Sequence, residues 1–168
     1  LKITGYKENR GKGAAVRHAV MQTTGDVVVY TDCDLAYGTN VIEKAALLVA
    51  DGADMVLGSR NMDKSGYEGY SSARKFVSKA YIKLISVAAG FSLSDSQCGF
   101  KAFSGSAARK IFSVCNTNGF SFDLEVIKIA QKMGLRLIEM PVHIQNRDES
   151  RKSKVRVLRD SAKMIRDI

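Results

Sequence analysis

The chain has 168 residues, is 45% hydrophobic, carries one proline and has a formal net charge of +9 at pH 7. That length is about one domain and that hydrophobic share fills a core, and the single proline, Pro141, argues against linkers and disordered Pro-rich tracts. No apolar run approaches the roughly 20 residues of a membrane span. The positive balance favours anionic partners (nucleic acid, a phosphorylated substrate or an acidic membrane surface) without choosing among them.

Residues 1–5 read as a short strand. Asn9-Arg10-Gly11-Lys12-Gly13 is a turn feeding a helix over 14–23, which Gly25 ends. Val27-Val28-Val29-Tyr30 is a continuous apolar, β-branched run, the pattern of a strand buried on both faces. Thr39 or Asn40 caps the next helix, with Val41, Ala45, Leu48 and Val49 at helical spacing. Residues 54–60 form another strand. Strand, helix, strand, helix, strand with short turns is the order of a parallel α/β sheet. A loop over 61–70, a long helix over 72–89 and a polar loop over 91–98 follow. The remaining predicted elements are a strand over 100–103, helices over 106–114 and 123–133, and a half-exposed strand over 135–140 before Pro141. A charged loop leads into a basic amphipathic helix over 155–168. Cys33, Cys98 and Cys115, at long spacings, fit reduced thiols, and two histidines without a Cys-x-x-Cys argue against structural zinc.

Polar clusters fall where strands end and helices begin. Asp32 and Asp34 close the 27–30 run. Acids at such a strand end lie on the ligand-binding edge of an open α/β sheet, and two hard oxygen ligands there suit Mg²⁺ or Mn²⁺ and, through the metal, a diphosphate. By themselves they also describe a turn in which Asp34 caps the loop and Asp32 is solvated, the commoner fate of such a pair. The glycines at 11 and 13 let backbone N–H groups approach a phosphate, and Lys12 adds a charge. The stretch is not a Walker A loop, since position 6 is Tyr and no Ser or Thr follows Lys12. Arg60 ends the 54–60 strand. Asp95-Ser96-Gln97-Cys98-Gly99-Phe100-Lys101 is a dense polar loop running into an aromatic strand. Asp123 and Glu125 sit in a first helical turn, where the dipole favours carboxylates, a structural reading that suits Asp123 better than Glu125.

In order, Asn9-Arg10-Gly11-Lys12-Gly13-Ala14-Ala15, Thr31-Asp32-Cys33-Asp34-Leu35, Gly58-Ser59-Arg60, Asp95 through Lys101, Phe122-Asp123-Leu124-Glu125 and Ser153-Lys154-Val155 resemble the motifs of family-2 glycosyltransferases. The set is most similar to the polyprenyl-phosphate branch, the dolichyl-phosphate glucosyltransferases and mannose synthases. The tail from Val155 to Asp160 leans to the glucosyltransferase side. The resemblance covers nearly the whole chain. It implies an α/β, GT-A-like fold: a mostly parallel central sheet flanked by helices over 1–150, lacking the first βα units, then a basic amphipathic C-terminal helix over 151–168. It also implies that Asp32 and Asp34 hold Mg²⁺ or Mn²⁺ on the diphosphate of a nucleotide-sugar donor, and that Asn9, Gly11 and Lys12 lie against the nucleotide. Arg60, Lys101, Arg147 and Lys154, with Ser153 in the same basic loop, would face phosphate. Asp95, Gln97 and Glu125 would line the sugar and acceptor region.

The sequence departs from the family pattern at Ala36, where mannose synthases often carry a glutamine, and at Lys152, where a glycine usually precedes Ser-Lys. Arg147 also stands one residue further from Ser153 than in the mannose synthases. Family members begin with a Pro-x-Tyr/Phe-Asn-Glu stretch and a strand ending in Asp-Asp-Gly-Ser, and neither occurs here. The expectation is an incomplete nucleotide pocket, an exposed sheet edge beside the Asp-x-Asp strand, and a chain inactive unless completed by residues outside it.

The implied reaction moves a hexose from a nucleoside diphosphate to a polyprenyl or dolichyl phosphate with inversion, UDP-glucose being the favoured donor and GDP-mannose the next. The metal at Asp34, supported by Asp32, offsets charge on the leaving diphosphate, and cationic donors add to this. A phosphate monoester is already anionic, so the acceptor needs little general-base help; Asp95 is the candidate if a base exists. The implied location is cytoplasmic, peripheral to the cytoplasmic face of a membrane. There the 151–168 helix lies on an anionic leaflet or else packs its apolar stripe on its own domain. The competing classes are a sugar-nucleotide pyrophosphorylase-like enzyme and a basic α/β module for RNA or another polyanion. An 8% aromatic content with no stacking pattern disfavours nucleic acid.

Overall fold

Met55–Ser59 is buried along its whole length and forms the strand around which the sheet is laid. The computed structural model of the chain describes residues 3–63 and 93–145, with Lys79, Ala80, Ile82 and Gly90 between them. These form strands β1 (Val27–Thr31), β2 (Met55–Ser59), β3 (Phe100–Ser104) and β4 (Leu137–Pro141). The helices are α1 (Lys12–Val20), α2 (Asn40–Ala50), α3 (Gly105–Val114) and α4 (Phe122–Lys132). The expected helix over 72–89 lies mostly outside the described residues, as do Arg147, Ser153, Lys154 and the 151–168 helix.

The strand order is β1-β3-β2-β4. β3 runs antiparallel to both β1 and β2, while β4 is parallel to β2. The α/β class and helix-flanked sheet are as expected, but the described sheet is mixed rather than mostly parallel. The reason lies in the connection from β2 to β3. The chain leaves β2 at Arg60 and comes back to the same sheet edge at Asp95, which the two residues' hydrogen bonds fix. A strand that enters from the edge its predecessor left must run the other way.

The apolar run of β1 predicts a strand buried on both faces. Only Val28 is fully buried, and the rest of the strand is half-buried. Among the described residues β1 pairs on one side alone, with β3, so one flank of the Asp-x-Asp strand is a sheet edge. Residues 3–5 are irregular rather than extended in a sheet, and Thr4 Oγ1 instead meets the His18 side chain at 2.8 Å.

Period-two alternation sends β residues to two cores. Val28, Met55, Leu57 and Phe103 pack against α1, α3 and α4 on one face. Val56, Phe100, Ala102 and Met140 pack against Val41, Ala45 and Val49 of α2 on the other. Burying an aromatic such as Phe103 contributes roughly 1.5–3 kcal/mol, which sets the register Val28↔Phe103 against a one-residue slip. Thr39 stands at the N-cap of α2 without a side-chain capping bond. Ser104 does cap α3, its Oγ accepting from Ala107 N at 3.3 Å.

Candidate active site at the carboxyl edge of the sheet

β1 and β2 both run antiparallel to β3, so they point the same way, and β4 is parallel to β2. The ends of β1, β2 and β4 and the start of β3 therefore share one edge. That edge collects Asp32 and Asp34 after β1, Arg60 after β2, the loop from Asp95 to Gly99 before β3, and the residues following Pro141.

Asp32 is placed by two contacts. Its Oδ1 accepts from Lys12 Nζ at 2.8 Å. Its Oδ2 packs against the Gly99 backbone so closely that a Cβ at that glycine would overlap it. Asp34 is exposed, and its Oδ1 accepts from Ala36 N at 3.2 Å. The turn that follows is tight: Leu35 has φ +48°, a left-handed conformation uncommon outside glycine, and Gly38 has φ +73°. Asp34 thus makes the turn contact and still presents its carboxylate at the sheet edge.

Lys12 opens α1, and its ammonium lies 5.9 Å from the centre of the Phe122 ring. Burial works to lower its pKa, but the charges of Asp123 and Asp32 and the bond to Asp32 outweigh it and hold the group above the ordinary lysine value. The glycines beside it do something other than cradle phosphate. Gly13 N and Ala14 N both donate to Asn118 O, at 2.9 and 3.3 Å, and Gly11 N donates to Asn9 Oδ1 at 2.9 Å. A Cβ at Gly11 would overlap Asn118 O, and one at Gly13 would overlap Thr117 O. These positions, with Gly11 at φ +98°, let the 117–119 loop dock on the start of α1.

Arg60 and Asp95 form a bidentate pair, Nε to Oδ2 at 2.6 Å and an Nη to Oδ1 at 3.0 Å. Arg60 N adds a third bond to Oδ2 at 3.2 Å. Asp95 is fully buried, and its partner charge raises the Arg60 pKa against the opposing effect of burial. Glu139 of β4 ties down the same loop, its Oε1 accepting from Ser94 N at 2.9 Å and Ser94 Oγ at 2.7 Å. Among the described residues, Gln97 Nε2, Ser96 Oγ and Asn61 Oδ1 are buried polar atoms with no hydrogen-bond partner, an arrangement that folded proteins rarely keep.

Residues 3–112 match the model of Glycosyl transferase family 2. The chain belongs to glycosyl transferase family 2. This family-2 chain is 28% identical to the dolichyl-phosphate beta-glucosyltransferase of Saccharomyces cerevisiae over 181 residues, covering 100% of this chain and 53% of that protein. It is 30% identical to that of Mus musculus over 150 residues, covering 85% and 46%. The chain spans about half the length of the curated relatives it matches. In fold it is similar to glucosyl-3-phosphoglycerate synthase from Mycobacterium tuberculosis solved with UDP, with a TM-score of 0.60 at 19% identity over 94% of this chain and 54% of that one. The same synthase solved with Mn²⁺ and UDP-glucose gives 0.59 at 20% identity, over 93% and 51%.

The family-2 motifs do not all point outward. Lys101, expected to face phosphate, alternates to the same face as Phe103 and is fully buried. Its Nζ donates to Asp123 Oδ1 at 2.6 Å and to Cys98 O at 2.8 Å. Tyr30 Oη donates to the same carboxylate oxygen at 2.5 Å, and burial, then Asp123, pushes the tyrosine pKa well up. Asp123, read as a dipole-stabilised helix carboxylate, is the partner of that lysine. Glu125, expected at the acceptor, turns instead to the residues after α3. It accepts from Asn116 N at 3.0 Å, Thr117 N at 2.7 Å and Cys115 Sγ at 3.0 Å, fixing the loop that docks on Gly11 and Gly13.

Glu139 and Asn61 go unread at this edge, and so does the contact with Asp32 made by Gly99, which lies in the singled-out 95–101 loop. Two left a trace in the sequence: a lone Glu in the apolar run Leu137-Ile138-Glu139-Met140, and a Gly inside an otherwise side-chain-dense loop. Among the described residues no group of three or more His, Cys, Asp and Glu side chains is placed to hold a metal ion. The donor set at the edge is the Asp32 and Asp34 carboxylates, which fits a hard cation that takes one or two carboxylates and completes its shell with water and phosphate oxygens.

Glu125 gives a pH prediction. Burial alone would raise its pKa, but the bonds from Cys115, Asn116 and Thr117 hold it below the ordinary value of 4.5. A depressed native pKa contributes stability that is complete above the unfolded value and is lost as pH falls through the native one. Unfolding midpoints measured in urea should therefore drop from about pH 4.5 downward. A Glu125→Gln variant should start less stable at pH 7 and show a smaller drop. A variant profile parallel to the parent's would refute the assignment.

Proposed function

We propose that this chain is the part of a glycosyltransferase that anchors the donor diphosphate, in an enzyme moving glucose from UDP-glucose to a dolichyl or other polyprenyl phosphate with inversion. The observation that carries the reading is the position of Asp32 and Asp34 at the end of β1, on the edge that also holds Arg60 and the loop from Asp95 to Gly99. The curated relatives named above, dolichyl-phosphate beta-glucosyltransferases, supply the sugar and the acceptor class.

Asp32 and Asp34 would hold Mg²⁺ or Mn²⁺, which when bound neutralises charge building on the leaving diphosphate. Lys12 supplies a cation beside Asp32, within reach of the same phosphates. Arg60 reaches an anion only by sharing or releasing Asp95, so its part in the resting geometry is to position the loop that carries Gln97. Arg147, Ser153 and Lys154 would complete the phosphate-facing basic set, and Asn9 and Gly11 shape the start of α1. Lys101 and Glu125 act from beneath, by fixing α4 and the 115–119 loop. The acceptor phosphate attacks as an anion, so no residue needs to take its proton.

No helix among the described residues is long and apolar enough to cross a membrane. We assign the enzyme to the cytoplasmic face of a membrane, held there by the cations of the 151–168 segment. The test is transfer of labelled sugar to polyprenyl phosphate by the protein in anionic vesicles, with UDP-glucose or GDP-mannose, and with Mn²⁺ or EDTA. Lipid-linked glucose formed only with UDP-glucose and metal is the expected result. Mannose transfer would move the donor to GDP-mannose, and no transfer with either donor would overturn the assignment.

A further inference from the structure

Two lysine–aspartate pairs lie close enough that Lys12 feels the charge of Asp123, and they differ in one respect. Lys101 and Asp123 are 0% and 7% exposed, so neither can leave without stranding a buried charge. Lys12 and Asp32 are 26% and 42% exposed, so this pair can open into water. Both Asp32 oxygens have a close neighbour: Oδ1 accepts from the Lys12 ammonium and Oδ2 lies against Gly99. A divalent cation on this carboxylate sits within a few ångströms of an ammonium bonded to it at 2.8 Å, and like charges at that separation repel strongly. Nor can Gly13 N and Ala14 N at the start of α1 turn to an anion in place of Lys12, since both donate to Asn118 O.

We infer that Lys12 is an exchangeable counter-ion: it neutralises Asp32 while the donor is absent and swings to the diphosphate when the donor arrives, opening Asp32 to the divalent cation. One side chain then links the two ligands. The inference rests on the metal reading of Asp32 and Asp34. It gives that reading a consequence opposite to intuition, since deleting a site residue should improve metal binding.

The test uses Lys12→Met and Lys12→Arg in the whole protein, with Mn²⁺ alone followed by electron paramagnetic resonance and UDP alone, in EDTA, followed by calorimetry. Lys12→Met should bind Mn²⁺ about tenfold more tightly than the parent, within the usual range of a site-to-site coupling. It should bind UDP several-fold more weakly. Lys12→Arg, which keeps the charge, should match the parent for Mn²⁺. A merely structural Lys12 would weaken both ligands together in Lys12→Met, and that outcome overturns the inference. So does Mn²⁺ affinity unchanged by Lys12→Met while Asp32→Asn abolishes Mn²⁺ binding, which leaves the metal reading intact. If no variant, nor the parent, binds Mn²⁺, the metal reading falls and the exchange with it.

Discussion

Asp123→Ala will lower the unfolding free energy by about 3–5 kcal/mol, the usual cost of breaking a buried ion pair from one side. Three donors depend on that carboxylate or lie in its field. Lys101 Nζ at 2.6 Å and Tyr30 Oη at 2.5 Å share its Oδ1, and Lys12 feels its charge. Lys101 has no exposed surface through which water could replace the lost partner, and Cys98 O, its other acceptor, carries no net charge. Asp123 joins the first turn of α4 to the middle of β3, so the loss should be global. It should appear as a lower urea midpoint with an unchanged slope. Removing both charges separates the mechanism from simple loss of packing. Lys101→Met with Asp123→Leu should recover most of the stability, because two apolar groups of similar volume carry no desolvation penalty. The shortfall should be about 1–3 kcal/mol, for the Tyr30 hydroxyl left without its acceptor and Cys98 O without its donor, and adding Tyr30→Phe should remove the tyrosine's share. A single-variant loss below about 1 kcal/mol would place the pair in the weak class of solvent-screened ion pairs.

The same lysine marks where the sequence stops being legible. Phe100-Lys101-Ala102-Phe103 reads as a strand, and alternation puts Lys101 on the face of Phe103. What local pattern cannot supply is the identity of the group opposite, which comes from α4 more than twenty positions later. The glycines at 11 and 13 misled for the same reason. They are small because a loop over 117–119, about a hundred residues away, docks there, whereas local chemistry offered a phosphate. Over 12–59 and 100–141 the strands and helices lie within a few residues of their expected positions, because apolar period is a local property, while the strand expected over 1–5 does not form. Strand direction does not follow from it, because β3 returns between β1 and β2 from the edge that β2 left, and nothing in the order strand, helix, strand announces it. The placement of Asp32 and Asp34 at a sheet edge survived that error. It needs only that both follow β1, whichever way its neighbour runs.

Gly99→Ala is the sharpest probe of that edge, and it should separate function from folding. The backbone at Gly99 lies outside the left-handed region, so alanine can adopt it. The added Cβ would overlap Asp32 Oδ2, and the carboxylate must move. Asp32 is 42% exposed and held by one lysine, so it can swing toward solvent. The strain of overpacking should therefore stay near the low end of its usual range, about 1 kcal/mol. The site has less tolerance. A displacement on the order of 1 Å at a positioning group costs about 10²-fold in rate, and here the displaced group is one of two carboxylates that would anchor the diphosphate. We expect transfer of glucose to polyprenyl phosphate to fall about 10²-fold with the urea midpoint nearly unchanged. Asp34→Ala, which removes the other carboxylate without touching Gly99, should fall at least as far. If Gly99→Ala transfers sugar at the parental rate, Asp32 in the position seen here is not what holds the donor. If instead stability and activity collapse together, Gly99 serves the entry of β3 into the sheet rather than the carboxylate beside it.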